Sequence, residues 1–174
     1  KDPTDADYST VFYVNIGVSV LLYLILFFIA PLVGRFYHMP MLALVLRVQG
    51  IVIVTNAFKI VQFNILQKRL QFKTIAIVEL SVALVALALV IYLAWSGLGV
   101  WSLVIWRLFI SVVTSILYWI MGHWKPRLMF SFASLKELFG FGGYMLLSSI
   151  VNQIYANVQG LLIGRKFSAE TMGY

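Results

Sequence analysis

The fold class this sequence predicts is an all-α integral membrane protein with five transmembrane helices, and three observations predict it. The first is composition: of 174 residues, 62% are hydrophobic and 11% charged, and the mean hydropathy is +0.96, far from the balance of a soluble domain. The second is segmentation, with five apolar runs long enough to cross a hydrocarbon layer of ~30 Å, separated by short links that hold most of the basic residues. The third is Leu147 to Leu162, LSSIVNQIYANVQGLL, which divides cleanly when wound at about 100° per residue. One half of that cylinder carries Ser148, Ser149, Asn152, Gln153, Ala156, Asn157, Gln159 and Gly160; the other is Leu, Ile, Val and Tyr. Two such halves require two surroundings, lipid or packed helices on one side and water or a polar solute on the other.

Charge narrows the class. Thirteen Lys and Arg against six Asp and Glu give a formal +7. In a soluble protein that excess suggests nucleic acid; here its position in the links follows the positive-inside bias of membrane proteins, and no nucleic-acid partner is expected. Cysteine is absent, which excludes a disulfide framework and a thiolate metal site. The chain opens on Lys1 and Asp2 and closes at Tyr174 after a polar stretch, as an internal piece of a longer protein would.

Taken in order, Lys1 to Ser9 is a polar lead in which Asp7 or Ser9 is expected to cap the first helix. The first span is expected over 11–33, ending near Pro31 and Gly34. The second, 41–66, carries Arg47, Asn56, Lys59, Gln62 and Asn64, with Arg47, Thr55, Lys59 and Gln62 inside an arc of about 120°. Gln67 to Lys73 is a basic link. The third span, 75–95, is aliphatic except for Glu79, whose expected partner is Lys73 or Arg69. Ser96 to Gly99 is a glycine turn flanked by Trp95 and Trp101, an interfacial aromatic pair. The fourth span, 100–121, holds Arg107, with Ser111, Thr114, Ser115 and Tyr118 following at helical spacing. After His123 to Arg127, residues Phe130 to Phe141 form a short amphipathic surface helix capped by Ser134 and Glu137. A glycine hinge, Gly140 to Gly143, leads into the fifth span.

Because the spans alternate sides, the links vote on orientation. Lys1, then Lys68, Arg69 and Lys73, then Lys125, Arg127 and Lys136 lie on one side; Arg35, Arg165 and Lys166 lie on the other. The richer side is expected to be cytoplasmic.

Several ordered segments, KDPTDADYSTVFYVN, Pro40 to Val48, LQKRLQFKTIAIVEL, GLGVWSLV, WKPRLMFSFASLKELFGFG and NVQGLLIGRKFSAETMGY, closely resemble bacterial Wzx-type oligosaccharide flippases. These are polysaccharide transporters of the superfamily that also holds multidrug extruders. The resemblance runs over essentially the whole chain. It implies a protein of twelve or more helices in two lobes around a central cavity. Residues 1–121 would be part of the first lobe, 122–143 a cytoplasmic linker with its surface helix, and 144–174 the first helix of the second lobe with its exit loop. It further implies a multi-pass inner-membrane protein that flips undecaprenyl-pyrophosphate-linked oligosaccharide by alternating access for cell-surface polysaccharide biosynthesis. Membrane lipids, and possible polymerase machinery, are its other expected partners, and no cofactor is expected.

Such a substrate needs cations for phosphate and hydrogen-bonding groups for sugar. Arg47, Arg107 and Lys59 are the phosphate candidates, since a charge within a span costs at least ~2.5–3.5 kcal/mol and normally faces a cavity or a partner. The alternative for Arg47 and Lys59 is to snorkel to head groups. Asn152, Gln153, Asn157 and Gln159 are the sugar candidates, because amides both donate and accept; the alternative is interhelical hydrogen bonding. Glu79 is a candidate coupling carboxylate or an ion-pair partner of Lys73. No metal-ligand spacing, nucleophile–base pair or nucleotide loop is found, so no enzyme activity is expected. A drug and cation extruder would favour acidic cavity residues, whereas Arg47, Lys59 and Arg107 outnumber Glu79. A membrane glycosyltransferase or polymerase would need larger loops.

Overall fold

In the computed structural model, the described residues are 4–132, together with Leu135, Lys136, Gly140, Gly143, 148–153 and Tyr155. The chain divides into two units, Lys1–Phe130 and Ser131–Tyr174. The first unit holds four helices: α1 (Asp5–Phe36), α2 (Pro40–Lys68), α3 (Phe72–Trp95) and α4 (Val100–Gly122). Each is long and apolar enough to cross a membrane. The protein is therefore an all-α membrane protein, and no strand occurs among the described residues.

The first four of the five expected spans are present, with ends displaced by local chemistry. α1 begins earlier than 11 because Thr4, rather than Asp7 or Ser9, is its N-cap. Thr4 N–H donates to Asp7 Oδ2 at 2.7 Å while Asp7 N–H donates to Thr4 Oγ1 at 3.4 Å, a reciprocal capping box that satisfies donors the helix start leaves open. α1 also runs through Pro31 instead of ending there. Pro40 stands at the first position of α2, where its missing N–H is not needed. The α3–α4 turn places Gly97 and Gly99 at φ 79° and 53°, a region open to glycine.

The links are three or four residues long, so sequential helices run antiparallel. α2 is the shared member, packed against α1 on one side and α4 on another, and α3 lies chiefly on α4. The buried apolar groups gather toward the end where α1 begins and α4 finishes. Leu66, Val78, Val82 and Tyr118 form one cluster; Phe12, Val61 and Ile65 form a second, rimmed by Trp119 and Trp124. Phe12 is the hinge of the latter, with edge-on ring contacts to Phe58, Trp119 and Trp124 at centroid distances of 5.9, 5.6 and 6.0 Å. The segment after α4 is tied down at the same end: Arg127 N–H donates to Ser9 Oγ at 3.0 Å, and its guanidinium pairs with Asp5 at 3.4 Å. Outer faces are apolar and open, with Phe28 at 72%, Leu80 at 64% and Ile120 at 65% exposure, the inverse of a soluble core and suited to lipid or to further helices.

In the second unit, 148–153 and Tyr155 have helical backbone, as do Gly140 and Gly143 at the expected hinge. Ser134 and Glu137, the expected cap of the surface helix, lie outside the described residues, as does most of the fifth span.

A close approach of α4 to α2 depends on Gly122. A Cβ there would run into Gln62 Oε1, and Gln62 is fully buried with its Nε2 donating to Trp124 O at 2.6 Å. Gly122→Val in the complete protein is expected to destabilise it by about 1–3 kcal/mol, the range for overpacking, read as a lower melting temperature. Combined with Gln62→Ala, the loss is expected to fall short of the two single losses added, because the truncated side chain leaves room for the new methyls.

Candidate functional site

Among the described residues, the polar groups of α2 and α4 meet along one seam. Thr55 and Ser111 hydroxyls stand 2.6 Å apart, and Ser111 Oγ also lies 3.0 Å from Asn56 Oδ1 as a donor. Thr55 Oγ1 reaches its own helix as well, at Val52 O, 3.1 Å. Such bonds are worth roughly 0.6 kcal/mol on average within membrane bundles, and here they fix the facing of the two helices.

Beside that seam opens a groove of about 200 Å³ lined by Asn56, Lys59, Arg107 and Ser111, with Trp106 and Ile110 among its apolar walls. Lys59 is half-buried and Arg107 exposed. Neither forms a hydrogen bond or an ion pair with another described residue, so their N–H groups are available to a ligand. Two cations, an amide and a hydroxyl in so small a space are chemically able to donate to an anion with oxygen acceptors. Trp106 brings an indole to the same wall.

Arg47 lies apart from this groove. Its Nε donates to Phe27 O in α1 at 3.2 Å, and its Cζ sits 4.3 Å from the Phe27 ring centroid. The arc expected to carry Arg47, Thr55, Lys59 and Gln62 as one face is therefore shared among neighbours. Arg47 turns to α1, Thr55 to α4, Lys59 to the groove, and Gln62 to the end of α4.

The stripe on α4 divides in the same way. Thr114 Oγ1 donates back to Ile110 O at 2.5 Å, and Ser115 is buried in the bundle. Tyr118 Oη donates to Glu79 Oε1 at 2.8 Å. This corrects the expected pairing of Glu79 with Lys73 or Arg69. Their link stands at the end of the span, whereas Glu79 faces α4, where a buried phenol needs an acceptor and an intramembrane carboxylate needs a donor.

Of the amide face, Asn152 and Gln153 have helical backbone and exposed side chains; Asn157 and Gln159 lie outside the described residues. Sequence reasoning missed Asn56 and Ser111 as groove residues. The signal was available, since Asn56 and Lys59 are three apart on α2 and Arg107 and Ser111 four apart on α4, and so share helix faces.

These features define a class: a multi-span helical membrane protein with a cationic, hydrogen-bonding groove between two spans. Within that class, the chain belongs to the polysaccharide biosynthesis protein family, which it matches over residues 1–174. It is 28% identical over 174 residues to the teichuronic acid biosynthesis protein TuaB of Bacillus subtilis, covering 99% of this chain and 36% of that one. It is 24% identical over 180 residues to the lipopolysaccharide biosynthesis protein WzxC of Escherichia coli, covering 99% and 36%. With the succinoglycan biosynthesis transport protein ExoT of Rhizobium meliloti it shares 26% identity over 166 residues, covering 94% and 33%. The chain thus spans about a third of the length of these relatives. No solved structure matches it.

The Tyr118–Glu79 bond yields a measurable coupling. A double-mutant cycle of Tyr118→Phe and Glu79→Leu on the stability of the complete protein is expected to give a coupling of about 0.6 kcal/mol and at most about 1.7 kcal/mol, the average and the maximum for hydrogen bonds in a membrane bundle. Strictly additive losses would show that the pair does not interact.

Proposed function

We propose that the complete protein is a transporter rather than an enzyme. In this reading it flips undecaprenyl-pyrophosphate-linked oligosaccharide from the cytoplasmic to the outer leaflet of the bacterial inner membrane by alternating access, supplying cell-surface polysaccharide. The observation that carries the proposal is the groove holding Lys59 and Arg107 without a hydrogen-bond or ion-pair partner among the described residues, in a chain of a polysaccharide biosynthesis family. A span tolerates an unpaired cation only beside water or an anion, and a pyrophosphate is such an anion. The name of the Rhizobium relative, a transport protein, supports the same reading.

In this proposal Arg107 and Lys59 bind phosphate, with Asn56 and Ser111 completing the shell. Asn152, Gln153, Asn157 and Gln159 form the sugar-facing wall, since uncharged amides match hydroxyl-rich ligands as donors and acceptors. Residues 1–121 belong to a first lobe, 122–143 to a cytoplasmic linker, and 144–174 to the start of a second lobe. Glu79, held by Tyr118, is the carboxylate offered for ion coupling. The basic links at Lys68 to Lys73 and Lys125 to Arg127 face the cytoplasm.

Arg107→Ala in the complete protein is expected to weaken substrate handling about tenfold or more, the loss of one charge-assisted bond of ~1.5–3 kcal/mol. The readout is surface-polysaccharide export at unchanged protein level, with Arg107→Lys keeping part of it. Unchanged export in Arg107→Ala removes that residue from the mechanism. Deleting the complete gene should leave lipid-linked oligosaccharide on the cytoplasmic face; accumulation of a drug in its place favours an extruder.

A further inference from the structure

Pro31 stands inside α1, and proline has no N–H. In an α-helix the N–H of residue 31 would donate to the carbonyl of residue 27, so the Phe27 carbonyl loses its regular donor. In an aqueous loop a water would replace it. Inside an apolar layer no water is at hand, and an unmatched backbone carbonyl loses its solvation uncompensated unless another group reaches it. The group that reaches it is Arg47 Nε, 3.2 Å from Phe27 O.

The surroundings fit this single bond. Arg47 lies on the neighbouring helix about 10 Å inside its start at ~1.5 Å per residue, and its guanidinium carbon sits 4.3 Å from the Phe27 ring centroid, so the cation is met by a π face as well as by a carbonyl. On either side of this contact the two helices come close. A Cβ on Gly34 would stand 3.2 Å from Ala43 Cβ, and a Cβ on Gly50 would stand 2.8 Å from the Tyr23 ring. Gly34 with Ala43, Phe27 with Arg47 and Tyr23 with Gly50 form consecutive rungs of one antiparallel hairpin. The middle rung is the one where the proline has removed a backbone bond.

We propose that Arg47 is the replacement donor for the hydrogen bond that Pro31 removes, so that it clamps α1 to α2 across the proline gap and is not a ligand for substrate phosphate. The pair works as a unit. Pro31 creates an acceptor that only a side chain can satisfy, and Arg47 is the intramembrane cation that the vacant acceptor stabilises. The bond also localises any bend of α1 to the turn around Pro31, since that turn alone is held by a side chain rather than by the backbone ladder.

The test is a rescue. Arg47→Met, Pro31→Ala and the double variant are made in the complete protein, and melting temperature in detergent and membrane protein level are measured with surface-polysaccharide export. Arg47→Met alone is expected to lower the melting temperature by several degrees or to reduce accumulation. In the Pro31→Ala background the alanine N–H supplies Phe27 O, and the same substitution is expected to shift the melting temperature by less than half as much, with accumulation and export recovered. Should Arg47→Met fail to accumulate alone yet accumulate beside Pro31→Ala, the proposal is supported equally. An equal loss of stability in both backgrounds, or no loss in the Pro31 background, overturns it. Loss of export in both backgrounds at unchanged stability also overturns it and returns Arg47 to the substrate.

Discussion

A span in a hydrocarbon layer has no water with which to satisfy its polar groups, and most of what this bundle does with its polar residues follows from that. The exposed faces of α1, α3 and α4 are apolar, so polar side chains turn inward or find a partner on an adjoining helix. Ser111 joins Thr55 and Asn56, Tyr118 joins Glu79, Trp119 Nε1 donates to Phe58 O at 2.9 Å, and Gln62 donates to Trp124 O. Each of these bonds crosses from one helix to another or to the segment after α4. Together they fix the rotation of α4 relative to α2 and α3 in a way that aliphatic contacts, similar to those lipid offers, do not.

Against that background the three basic residues inside the spans part company. Arg47 is occupied, with a carbonyl at its Nε and a ring beneath its guanidinium. Lys59 and Arg107 face a groove whose other polar members, Asn56 and Ser111, already hold the helices together. A residue that both braces the bundle and lines the groove makes the site rigid, because its rotamer is set by the helix contact before a ligand arrives. α2 carries both contacts at once: one side meets the Phe27 carbonyl below Pro31 in α1, and another opens on the groove of Lys59 and Arg107.

The existence of four spans was legible in hydropathy alone, and so were the links that join them. Their ends were less so. Thr4 is the N-cap and Asp7, expected as a possible cap itself, instead closes the capping box from the third helical position; Pro31 did not stop α1, which continues to Phe36. The site was legible in kind but not in membership. A helical wheel groups residues by direction from their own axis, and on α2 an arc of about 120° touches α1, α4 and the groove in turn. Thus Arg47 and Lys59 share an arc in sequence and meet different surroundings in the fold. Glu79 shows the same limit, since a basic link nearby in sequence gave way to a buried phenol thirty-nine positions on.

The division of the cations between a helix clamp at Arg47 and a groove at Lys59 and Arg107 is measured directly by cysteine accessibility. The chain has no cysteine of its own, so Arg47→Cys, Lys59→Cys and Arg107→Cys can each be introduced into a cysteine-free form of the complete protein and exposed to a hydrophilic thiol reagent. Thiolates form only where water reaches. Labelling is expected at 59 and 107, slowed by added inorganic pyrophosphate, with protection at 47. Protection at 59 and 107, or labelling at 47 as fast as at 107, would contradict that division.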